Sequence, residues 1–159
     1  MGAKKTELHT RVDEGRETGD KIRENAEEKI EEAEVSNNAL SRIEGADDDT
    51  QAATESARSE AASEASAIAQ SEITEPGDAL GEDFKETSRE SSELSDKEME
   101  NAENASEMTG DYTDIGGNLA EQLRASGEEF HAIAEESDQT NDAFQAEFAQ
   151  QSAHLEGVF

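Results

Sequence analysis

The sequence predicts an all-α protein, a long antiparallel helical hairpin or coiled-coil bundle with interrupted helices. Three observations predict it. Apolar and small residues recur in alternating steps of three and four along most of the 159 residues. The chain holds 24 alanines and is rich in glutamate, and both residues favour helix. Its only proline, Pro76, stands near the midpoint, where a chain folded into two arms would turn.

The N-terminal arm, 1–73, carries the stripe Leu8, Val12, Gly15, Gly19, Ile22, Ala26, Lys29 or Ile30, Ala33, Ser36, Leu40 and Ile43. The steps go on through Asp47, Thr50, Thr54, Ala57, Ala61, Glu64 and Ile68. Helix formers dominate 21–35 and 51–73. Between them, 44–50 predicts a break, with Gly45 capping one helix and Asp49 or Thr50 starting the next. Residues 74–78 predict the turn. Pro76 disfavours helix at Glu75, Gly77 accepts a positive φ, and Asp78 is a good N-cap.

The C-terminal arm, 79–159, resumes the period at Leu80 and Phe84. Leu94, Met99, Ala102, Ala105, Met108, Tyr112, Ile115, Leu119 and Leu123 follow on one drifting face. A second break is expected near 109–118, where Ile115-Gly116-Gly117-Asn118 suggests a turn and Asn118 with Glu121 a capping box. From Phe130 the steps run through Ala134, Ser137, Asn141, Phe144, Phe148, Gln151 and Leu155 without a slip.

Forty-two acidic residues against thirteen Lys and Arg give a net charge of -29. A surface for nucleic acid needs clustered cations, so that partner is excluded. Leu, Ile, Val and Phe together number only 22. So lean and charged a composition also fits a disordered, charge-shielding chain. Thin helix-on-helix packing through alanine is the folded alternative. Cysteine is absent, which removes disulfide and thiolate chemistry. No apolar stretch is long enough to span a bilayer, and "MGAKKTELHTR" lacks the core of a signal peptide. The expected location is cytoplasmic, or outside after export without a cleavable signal.

Few residues point to chemistry. His131 and Glu135 share a helical face at the spacing of a metal pair, but a zinc site needs three or four ligands. A solvated face or an ion pair is the plainer reading. Asp47–Asp49 and Asp111–Asp114 lack the spacing of a calcium loop. No phosphate loop, dinucleotide fingerprint or nucleophile elbow occurs. No enzyme, cofactor, metal or small-molecule substrate is therefore expected. "MGAKKT" matches an acylation pattern at Gly2, without a second membrane signal.

The most specific feature is the C-terminal apolar stripe. Phe130, Ile133, Phe144, Phe148 and Leu155 are the candidate partner-binding residues, either as a helix-docking face or as an oligomer seam. In the plainer reading the same stripe packs on the N-terminal arm. Asn141, on that stripe, is placed to fix register.

Glu75-Pro76-Gly77-Asp78 at the centre, His131-Ala132-Ile133-Ala134-Glu135, and Leu155-Glu156-Gly157 near the end together resemble the helical partner and cargo proteins of type VII secretion, the WXG100 and LXG group. No Trp-x-Gly stands at the turn, and the arms exceed those of the small members. The resemblance implies pairing with another helical chain, and export or escort of an exported protein. The expected function is thus a non-enzymatic acidic interaction protein that binds partner helices or self-associates. The alternatives are a phage-type assembly scaffold and the disordered charge-shielding chain.

Overall fold

The computed structural model describes residues 2–44 and 48–159 and is all-α among them, as the periodicity predicts. Helix α1 spans Gly2–Ile43, α2 Asp48–Ile68, α3 Glu75–Ser106 and α4 Thr113–Glu156. A π-helical segment, Ala69–Thr74, joins α2 to α3 without a gap. Among the described residues the helices are thus α1, the continuous α2–α3 run and α4.

The turn expected at 74–78 is corrected by this continuity. From Ala61 the inward positions fall at Ala65, Ala69, Ile73 and Gly77, four steps of four in succession. An α-helix repeats every 3.6 residues, so such a run drifts off the seam. The π segment absorbs the drift with a wider turn, in which the Glu75 N–H donates to the Gln70 carbonyl five residues back. Pro76 follows that turn inside the continuous run, where an unbroken α-helix would press its ring against the carbonyl four residues back and a wider turn makes room for it. Gly77 is a packing residue, and Asp78 lies within helix.

Of the two expected breaks, the first lies partly outside the described residues. Residues 45–47, and with them the Gly45 cap, fall there. Asp49 and Thr50 are already inside α2. The second break comes earlier than expected. It occupies 107–112, where Thr109 is extended and Gly110 takes the positive φ of 71°. Thr113 Oγ donates to the Gly110 carbonyl at 2.9 Å as α4 begins. Gly116, Gly117 and Asn118 are helical, so the predicted turn and capping box there do not form.

The chain divides into two compact units. The first comprises the stretch up to Arg16 and Glu82–Asn141. Here α1 runs antiparallel to α3 and parallel to α4. Arg11 pairs with Glu90 of α3 at 2.6 Å, while Lys5 and Arg16 pair with Glu129 and Glu136 of α4 at 2.5 and 2.7 Å. Leu8, Val12, Phe84, Phe130 and Ile133 form the interior. The Phe84 ring fills the notch at Gly15, where a Cβ would stand 2.6 Å from the ring tip. Ser137 donates to the Phe84 carbonyl at 2.8 Å, so this buried hydroxyl is satisfied.

The second unit comprises Glu17–Gly81 and Asp142–Phe159. Ile22, Ala26, Ala65, Ala69, Ile73, Leu80, Phe144, Phe148 and Leu155 are buried in it. Phe144 abuts Gly19, and Phe148 lies over Gly77, where a Cβ would stand 2.7 Å from the ring. The two rings stack with centroids 5.5 Å apart. Gln145 donates to the Gly77 carbonyl at 2.8 Å, and Asn25 to Glu72 at 2.8 Å. Alanine elsewhere lets the backbones approach closely.

Candidate functional site: an uncovered helix face

Phe130, Ile133, Phe144, Phe148 and Leu155 are all buried inside the chain. Their expected role as an outward docking face is corrected, and the plainer reading describes them. Each lies on or beside the α4 seam, which steps by four and three from Gly116 to Leu155, so each is spent on internal packing. Asn141 lies on the same seam, 7% exposed, with its Oδ1 unpartnered among the described residues.

His131 and Glu135 form an exposed pair at 3.4 Å, and His154 meets Glu34 at 3.5 Å in the second unit. Among the described residues no three His, Cys, Asp or Glu side chains converge where a metal ion would bind. No helix among them is long and apolar enough to cross a membrane.

The surface residues that stand out belong to the far end of the first unit. α1 covers the α3/α4 pair only as far as Lys4 and Lys5, which reach Glu90 and Glu129. Past that level α4 packs on α3, with Gly127 against Met99 and the Ser95 carbonyl. Their contact is thin: Ala102, Ala105, Ala120 and Leu123 are buried together, and the Gly116 backbone lies against the Ala105 carbonyl. Beside this seam Met108, Tyr112, Ile115 and Leu119 are 37, 61, 60 and 43% exposed.

The heptad positions of Ile115 and Leu119 identify the face that these two form on α4. Leu119 precedes Ile133 by two heptads, and Ile115 precedes Glu129 by two. Ile133 is fully buried and Glu129 holds Lys5, so both lie on the side of α4 that α1 covers. Met108 lies past the end of α3, in the link 107–112, with its side chain against Gly116. Thr87 is buried between Phe84, which meets Gly15, and Glu90, which meets Lys4 and Arg11. Ile115 and Leu119 therefore continue the α4 side of the seat of α1 past the point where α1 covers it.

Electrostatics at the covered end show what the seat accepts. Glu90 accepts from both Lys4 and Arg11 at 2.6 Å. The hydrogen bond from Lys4 holds the Glu90 carboxyl below its ordinary value, against an opposing effect of burial. The same bond raises Lys4 above the usual lysine value. The seat thus favours cations flanking an apolar stripe.

The sequence contained the signal for this face. Extending the regular α4 steps backwards from Phe130 gives Gly127, Leu123, Ala120 and Gly116, which leaves Ile115 and Leu119 one residue off the seam. The reading of one drifting face merged them with it. No known family model, curated protein or solved structure matches the chain.

Proposed function

We propose that this chain is a non-enzymatic helical interaction protein that receives a helix of another protein on the α3/α4 face past the end of α1. One observation carries the reading: Ile115 and Leu119 lie exposed at positions that α1 covers further along α4, with Met108 and Tyr112 exposed in the adjoining link. A helix laid there would bury them as α1 buries Thr87 and Ile133. The architectural resemblance to type VII partner and cargo proteins agrees with such a role. Escort or export belongs to this proposal too, though Glu75-Pro76-Gly77-Asp78, one of the stretches behind the resemblance, is helix and not a turn.

A labelled synthetic helix with a leucine seam and glutamine flanks tests the reading. It should bind the full chain saturably by fluorescence anisotropy. The double variant Ile115→Asp, Leu119→Asp should weaken binding at least about tenfold, a loss of about 1.4 kcal/mol, with its helical circular dichroism intact. Equal binding by the double variant would remove this face as the docking site. A doubled molar mass by light scattering, abolished by the same variant, would replace the foreign helix with a second copy.

A further inference from the structure

Resting on that docking reading, we propose that the occupant is a cationic amphipathic helix, lying antiparallel to α3 as α1 does, with one basic side chain reaching Glu98. Three observations converge on it. Between Glu98 and Glu128 the chain carries eight acidic side chains and one basic, Arg124. A second copy would bring the same acids to the same face, so like-charge repulsion disfavours it.

The second observation is Glu98 itself. It falls on the α3 seam between Ser95 and Ala102, just past the level of Lys4 and Glu90, and is 7% exposed. One of its carboxylate oxygens is buried without a hydrogen-bond partner among the described residues. A buried oxygen without a hydrogen-bond partner is costly, and a lysine or arginine N–H reaching it would satisfy it.

The third observation is the helix already seated there. In α1, Lys4, Lys5 and Arg11 flank Leu8 and Val12, and all three cations are bound to glutamates of α3 or α4. The seat is thus already matched to an apolar stripe with basic shoulders, and its uncovered continuation supplies the same two features.

The test uses three labelled synthetic helices with one leucine seam and lysine, glutamine or glutamate flanks, titrated into the full chain. The lysine-flanked helix should bind at least about tenfold more tightly than the glutamine-flanked one at about 50 mM salt, and the glutamate-flanked helix most weakly. The advantage should shrink at about 0.5 M salt, where screening acts within a few ångströms. Glu98→Gln should remove most of the lysine advantage and leave glutamine-flanked binding unchanged. Its circular dichroism and Tm report whether the fold is kept. Equal affinity for lysine and glutamate flanks would overturn the proposal and leave the docking reading standing. A lysine advantage undiminished in Glu98→Gln would overturn the Glu98 contact. Tight lysine-flanked binding that survives Ile115→Asp with Leu119→Asp would show attraction to acidic surface elsewhere and overturn the site. No binding by any of the three would overturn the docking reading and this proposal with it.

Discussion

Two glycines of the same residue type have opposite expected effects, because their surroundings differ. Gly19 is buried, and a Cβ there would run into the Phe144 ring, itself 8% exposed. Gly117 lies in α4 with nothing within 4 Å of such a Cβ. Alanine gains about 1 kcal/mol over glycine in a helix interior. Overpacking a rigid ring costs about 1–3 kcal/mol. Gly117→Ala should therefore raise the free energy of unfolding by about 1 kcal/mol, and Gly19→Ala should lower it by up to about 2 kcal/mol. Urea titrations of both variants check this, and a stabilised Gly19→Ala would show that the ring has room to move. Buried position also changes the meaning of a charge introduced at Phe144. Phe144→Asp would strip the interior of the second unit rather than selectively release a partner.

At the scale of the helix, the clamp of α1 on α3 has a defined pH window. Glu90 is depressed below its ordinary 4.5, so the stabilisation it contributes is present above that value and lost as pH falls through the lower folded one. Lys4 is raised above its ordinary 10.5, so its contribution is present below that value and lost as pH rises through the higher folded one. Glu90→Gln should therefore lower Tm at pH 7, and its difference from the natural chain should disappear in strong acid. A difference that persists at pH 2 would mean that Glu90 acts through packing and not through its charge. The helices themselves were legible in the sequence because the three-and-four steps persist in α1 and in α4 from Phe130 on. The join at 69–74 was not. Four equal steps have no heptad reading, and Pro-Gly-Asp has strong turn chemistry that the π segment overrides. The burial of the C-terminal stripe was legible as one of two readings. Local pattern marks a face as apolar but does not say which helix covers it, so the uncovered face emerged only once the end of α1 was located against Glu90 and Glu129.

For the whole molecule, the net charge of -29 is the dominant electrostatic fact. Fourteen ion pairs between Lys or Arg and Asp or Glu are described, and most lie at exposed side chains, where each contributes little. Self-repulsion of the uncompensated acids should outweigh them. Raising sodium chloride from about 10 mM to about 1 M shortens the screening length from about 30 Å to about 3 Å, and Tm should rise across that range. A fall would mean that the ion pairs, and not the repulsion, decide stability. One further consequence follows from the rings seated on glycine. A seam that repeats every seven residues looks the same to itself after a slide of seven, so nothing in the pattern alone tells one rung from the next. Gly15 breaks that sameness: seven residues either way Phe84 would meet Leu8 or Ile22, and Phe144, moved likewise from Gly19, would meet Val12 or Ala26. A chain that zips one rung out finds a side chain where its ring needs a hollow, and must come apart and try again.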